Sequence, residues 1–365
     1  MIHFIFLFLN PLFNEAPLIL EGTEIYTPLF SSNVAISSTG DFFIYSRQDK
    51  VILHYSKFGE AQENVGRQGQ GPGEFSFPGK IYCFENKLYV VDFQATHIFN
   101  EDGTFSHKAM TPSGLLHFTK INGGWVGIRG LHPMKLNEPT SLIWLNDDLG
   151  QEKILATWSS EQERADGPIK PFERNTYNFN PARGFTHLSM DPERKTVIVS
   201  LSGHNKVFGF DMVSKMPKFE IDITGDRVPF DEENGKRLLE DFQARLASRG
   251  MTQKVLPDFP KYFPLIRGVY VSAFGQLVVG KWFHDSLSPR ENRTEQDRNL
   301  YFDFDGESVE KQGDKEIEGR ILFAGKKYFY LSCYLDTEEW SVARVPKEQA
   351  KTFIESHPLP SPEDM

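Results

Sequence analysis

Two histidines, His117 and His187, are the side chains whose type and spacing come closest to a metal site. Each stands at the head of a short β-type run, His117–Ile121 and His187–Asp191, at matching points of two consecutive repeats. Matching points on adjacent inner strands bring two imidazoles together near a channel mouth. Zinc needs at least three good ligands, and Glu318 is the candidate for a distant third. Zinc or calcium is the cofactor such a trio would take. Without the third ligand the two rings are hydrogen-bonded histidines and no cofactor is expected.

A wider group carries charge and rings rather than metal chemistry. Arg47, Asp92, Arg129, His132, His204, Lys281, Trp282, His284 and Asp336 follow the second run of their repeats, while Arg183, Tyr262 and Arg267 precede a first run. Arginines and a lysine among aromatic rings suit an anionic or sugar-like ligand. The competing reading is a solvated polar rim with scattered pairs such as Arg47–Asp92. No Gly-x-Ser-x-Gly nucleophile context is present, so no catalytic residue is assigned and the chain reads more as a binder than as an enzyme. Cys83 and Cys333 fall in repeats that are not neighbours, which predicts two free thiols.

Composition narrows the partners. Of 365 residues, 40 are Lys or Arg and 50 are Asp or Glu, a net charge of −10 without a basic cluster, which argues against nucleic acid. A hydrophobic share of 39% with 25% charged residues is that of a globular chain. No apolar run reaches the roughly 18–20 residues of a membrane span. The opening Met1–Leu9 has the length of a signal-peptide core, although no Lys or Arg precedes it and Asn10-Pro11 interrupts it. Export to the periplasm or envelope is the expectation, with the cytoplasm as the alternative. Residues 1–17 are set apart as this apolar segment.

The elements that hold these residues form a repeat. Six second-strand runs begin at Phe42, Leu88, Trp125, Val197, Leu277 and Tyr328. Each has a strand candidate just upstream across a tight turn, as in Ser38-Thr-Gly-Asp41 or Asn122-Gly-Gly124. Third-strand candidates follow, and fourth strands are predicted at Glu63–Val65, His107–Met110, Ile154–Trp158, Phe219–Ile223 and Val309–Gln312. Such a four-stranded meander, repeated radially, is a propeller blade. The gaps before Val197 and Leu277 are long enough to raise a seventh blade. Ser159–Gly184 lacks alternation, however, and Thr224–Pro264 carries a helix over residues 231–250, with Asp231 as N-cap and Leu238, Leu239, Phe242 and Leu246 as its stripe. An all-β, six-bladed β-propeller spanning 18–346 follows, with Leu18–Tyr26 closing the last blade and a helix-like tail at 347–365.

One stretch is more specific. Gly66-Arg-Gln-Gly69-Gln-Gly71-Pro-Gly73-Glu-Phe75-Ser-Phe-Pro78, then Lys87-Leu-Tyr-Val-Val-Asp92 and Asp102-Gly103-Thr-Phe105, resembles an NHL repeat. The resemblance implies a six-bladed propeller of the kind common among exported or envelope proteins of bacteria. The same glycines lack the Lys-Ser/Thr and helix of a P-loop, and the strand-to-helix context of a dinucleotide site, so they are predicted to shape the crossover between blades.

In such a propeller the second-to-third and fourth-to-first connections open on one face. The insertions Ser159–Arg183 and Thr224–Pro264 and the connection Phe283–Asp297 all belong to that face. Extended loops on a rigid scaffold tend to carry function. A monomer that binds a protein, peptide or glycan there is the leading expectation. A metal-dependent lactonase or lyase using His117 and His187 is the alternative.

Overall fold

Short stretches of alternating or wholly apolar residues, cut by Gly, Asn and Asp turns, favour antiparallel meanders over helices. The computed structural model describes residues 16–26, 29, 32–76, 78–92, 94–129, 139–158, 176–179, 186–191, 195–201, 204–248, 254–257, 261–263, 265–272, 274–281, 299–310 and 320–359. Six successive antiparallel sheets make the chain a mostly-β, six-bladed β-propeller by fold class. It divides into two compact units, Met1–Lys108 with Gly313–Met365, and Ala109–Gln312.

The first unit holds blades one, two and six. Blade one pairs Val34–Ile36, Phe42–Ser46 and Val51–Tyr55, and blade two begins with Lys80–Phe84, Lys87–Val91 and Ala95–Asn100. Blade six pairs Ile321–Ala324, Tyr328–Tyr334 and Trp340–Pro346, and its fourth strand is Leu18–Ile19. Leu18 lies opposite Arg344 and Ile19 opposite Ala343, so the N-terminal segment closes the last blade as predicted. The clasp continues past the strand. Leu20 N donates to Val342 O at 3.1 Å, Ser341 Oγ to Leu20 O at 2.5 Å, and Trp340 N to Ile25 O at 2.6 Å. Leu20, Ile25, Phe42, Ile44, Tyr330 and Val342 form one core between blades six and one. The tail is helical over Lys347–Gln349 and Ala350–Ser356, and buried Arg320 ties it down by donating from Nη1 to His357 O at 2.6 Å.

The second unit holds blades three to five. Their inner strands are Leu115–Ile121, Thr186–Asp191 and Ile266–Val271, followed by second strands Gly124–Arg129, Thr196–Leu201 and Leu277–Lys281. One core joins blades three and four through Val126, Ile128, Val197 and Phe210. Another joins four and five through Ile198, Val207, Leu277 and Val279. The predicted helix forms over Glu232–Ser248, and Asp231 caps it by accepting from Glu233 N at 3.0 Å.

Two features differ from the sequence reading. Beyond the three strands of blade one the chain makes two isolated antiparallel bridges, Tyr55–Ala61 and Ile52–Val65, and beyond those of blade five one, Phe302–Ser308, among the described residues, residues 311–312 of the expected strand lying outside them. In blade one the chain spends its next residues on a separate parallel pair, Arg67–Gln68 with Glu74–Phe75. The second difference lies in the insertions. Thr176–Phe179, inside a stretch read as irregular, pairs in parallel with Lys254–Pro257, so the two long insertions are joined to each other.

Candidate functional site

The inner strands of the second unit present their first residues at one level. His117 lies opposite Ile128, His187 opposite Ser200 and Gly268 opposite Gly280, each one step from the last pair of its ladder. The ladders of blades three and five shift register at that point, between Leu115 and His117 and between Ile266 and Gly268. Such bulges re-aim side chains and recur beside functional sites. Gly268 takes the place that histidine holds in the two preceding blades. A methyl group there would sit 3.6 Å from the His187 ring, in ordinary contact, so that ring leans on the bare backbone of blade five.

His187 is thereby drawn towards its neighbours. Burial holds its pKa below the ordinary histidine value, the His117 charge pushes the same way, and a hydrogen bond with the Arg267 backbone opposes both. The two imidazoles thus sense one another. Lys281 ends the second strand opposite Ile266, and a methyl group on Gly225 would lie 3.1 Å from its Nζ. Gly225 leads out of blade four at φ +136°, so the blade-four exit and the blade-five second strand meet around this ammonium. His117 and Arg267 are exposed, and His187 and Lys281 are half-buried. Neither glycine was singled out from sequence, because glycine also serves ordinary turns.

The other candidates are placed as follows. Arg129 donates from Nη1 to Glu152 Oε1 at 2.5 Å, His204 lies in the turn after the second strand of blade four, and Tyr262 bridges Pro229 at the base of the helical insertion. In the first unit Arg47 and Asp336 are exposed in their second-to-third turns. Asp92 is a structural tie in its surroundings: Oδ2 accepts from Ser76 N at 2.6 Å, stands 3.9 Å from His97 Nε2, and is screened by a side chain only 9% exposed. His132, Arg183, Trp282, His284 and Glu318 lie outside the described residues. Among the described residues no three His, Cys, Asp or Glu gather to hold a metal ion. Both cysteines are free thiols, and burial pushes Cys333 up to about 12.

The glycine-rich linker of blade two holds its own anion. Glu74 Oε2 accepts from Gln70 N at 3.1 Å and Gly71 N at 2.8 Å, while Oε1 takes Arg67 Nε at 2.8 Å. Those bonds hold the carboxyl below its usual range, the Gly71 amide contributing most. The amides that a phosphate would need are occupied from within the chain. Elsewhere in the second unit, a groove of about 380 Å³ between the outer strands of blades three and four is lined by Trp158, Phe208, Phe210 and Phe219. Its rim charges are already paired, Lys218 with Asp305 and Glu220 with Lys206.

No family model matches the chain, and no curated protein matches it. Similar solved structures include a member of the DUF4221 family from Bacteroides vulgatus, at 7% identity and TM-score 0.47, covering 91% of this chain and 96% of that one. A candidate exported protein of Bacteroides fragilis is similar at 11% identity and TM-score 0.47, over 91% and 95%. Regucalcin of Agrobacterium tumefaciens, a calcium-binding protein, is similar at 10% identity and TM-score 0.41, over 88% and 92%.

Proposed function

We propose that this propeller is a non-catalytic binding protein that holds a protein, peptide or glycan on the insertion-bearing face of its second unit. The observation that carries the reading is the pairing of the two insertions, Thr176–Phe179 with Lys254–Pro257. Both insertions leave from fourth-to-first connections, the end of each blade at which His117, His187, Arg267 and Lys281 stand. Joining two long loops restricts their freedom before any ligand arrives, which lowers the ordering cost of binding. The likeness of Gly66–Phe105 to an NHL repeat and the expected export belong to the same proposal.

The test is an array of peptides and oligosaccharides probed with the full chain and with an Arg129→Ala, Arg267→Ala variant. Saturable binding lost in the variant, with an unchanged melting temperature, is the expected outcome. Binding equal in both proteins contradicts it. A second reading, a metal-dependent enzyme, is favoured by one observation, the matching positions of His117 and His187 one step from the ends of their ladders in blades three and four. Near-stoichiometric zinc or calcium on protein purified without chelator, and a melt lowered by EDTA and by His117→Ala, would put that reading ahead of the binding one. Absence of both removes it.

A further inference from the structure

We propose that the hairpin-turn end of blades one and six docks on an anionic membrane surface. This surface belongs to the first unit and is separate from the insertion-bearing face.

Charge is the first observation. Lys57, Lys326, Lys327, Lys347 and Lys351 are exposed, and none forms an ion pair with any described residue. Backbone and ring contacts bring their segments together. Arg344 Nη1 donates to Lys57 O at 3.1 Å, and the same guanidinium lies 5.2 Å from the Tyr328 ring. Lys347 N donates to Lys327 O at 3.1 Å, while Lys347 Nζ stands 5.0 Å from the Phe329 ring. Lys351 follows on the helix Ala350–Ser356. Segments 56–60, 325–328 and 344–351 thus carry six cations against two carboxylates, Glu60 and Glu348, in a chain whose net charge is −10. Like charges gathered without partners repel one another, and an anionic surface relieves that repulsion.

The second observation is an exposed ring. Phe58 is 69% exposed in the turn that closes through Ser56 N to Glu60 O at 2.8 Å, and Lys57 Nζ lies 5.2 Å from its ring. The third is the point at which the chain enters the blade. Leu18 lies opposite Arg344, and a methyl group on Gly59 would sit 3.3 Å from Leu18 Cδ1, so the start of the closing strand adjoins both the cations and the Phe58 turn. Upstream in sequence, Met1–Leu9 contains no Lys, Arg, Asp or Glu. Basic residues beside apolar ones supply the two kinds of attraction that hold a protein at an anionic bilayer, electrostatic and interfacial. An acidic peptide would engage the cations alone. The exposed ring and the neighbouring apolar run decide for the bilayer.

The experiment is co-sedimentation of the full chain with vesicles of phosphatidylcholine, alone or mixed with phosphatidylglycerol, at low and at high salt. Wild type is compared with the paired changes Lys326→Gln with Lys327→Gln and Lys347→Gln with Lys351→Gln, with Phe58→Ser, and with the distant pair Lys153→Gln and Lys261→Gln. Each is first checked for an unchanged melt. Wild type and the distant pair should sediment with the mixed vesicles and come off at high salt, because screening weakens attraction between exposed charges. Each lysine pair of the patch should weaken that binding by about tenfold or more. Phe58→Ser, which keeps every cation, should weaken it by less. No binding to mixed vesicles, equal binding by all variants, or equally strong binding to phosphatidylcholine alone overturns the proposal. Binding of polyglutamate without binding of either vesicle also overturns it, and assigns the patch to an acidic protein partner.

Discussion

At the scale of single residues, two buried histidines in the first unit set a pH limit on stability. His54 stacks on Phe43 with ring centroids 4.4 Å apart, and its Nε2 is 3.8 Å from Asp41 Oδ2. His97 is packed between strands, with its Nε2 3.9 Å from Asp92 Oδ2. Neither distance is a hydrogen bond. Burial holds both below the ordinary histidine value, the Asp41 and Asp92 charges opposing it and Lys108 adding to it at His97. The folded chain therefore refuses protons that the unfolded chain accepts at an ordinary histidine pKa of about 6.5. Their neutral burial is accommodated above that pH, and stability falls as pH drops through it. Urea denaturation midpoints should decline from about pH 8 to about pH 5, with a shallower decline in His97→Gln. A midpoint independent of pH over that range would show that these rings are protonated without cost. Such placements were not legible in the sequence: His97 occupies Thr96-His-Ile-Phe99, two polar residues ahead of two apolar ones, and all four residues are buried.

At the scale of elements, closure of blade six depends on a segment more than three hundred positions away in sequence from its partner. Leu20 is fully buried, its amide and carbonyl bonded to Val342 and Ser341, so a cavity there weakens both the core and the clasp. Leu20→Ala should cost about 2–5 kcal/mol, measured by chemical denaturation of the full chain. A loss under about 1 kcal/mol would mean that the clasp contributes little to folding. This closing strand was readable beforehand because blade six visibly lacked a fourth run while Leu18–Tyr26 had no other role. The helix at Glu232–Ser248 was readable from Asp231 and its apolar spacing. The pairing of Thr176–Phe179 with Lys254–Pro257 was not. Four residues are too few for periodicity to show, and a parallel pair has no hairpin turn to announce it. How much of the fourth runs of blades one and five pairs was not legible for a related reason, since a β-type run does not reveal how much of it finds a partner.

At the scale of the whole molecule, blade count came from turn chemistry and spacing, and both survive weak sequence likeness because each blade must bury its own faces. The site did not come from a motif. His117 and His187 were paired by matching repeats, whereas Gly225 and Gly268, which seat Lys281 and His187, carry no chemistry of their own. Composition adds one expectation. With 50 acidic against 40 basic residues, the chain should show no retention on duplex DNA at physiological salt. Retention there would show that a local basic surface outweighs the net charge. The most direct test of ligand binding at the insertion-bearing face is hydrogen–deuterium exchange of the full chain, with and without its strongest array ligand. Slower exchange should appear at Thr186–Asp191, Ile266–Val271, Thr176–Phe179 and Lys254–Pro257, the strands that carry the histidine level and the joined insertions. Protection confined to the hairpin turns or to the first unit, with those four segments unchanged, would contradict it.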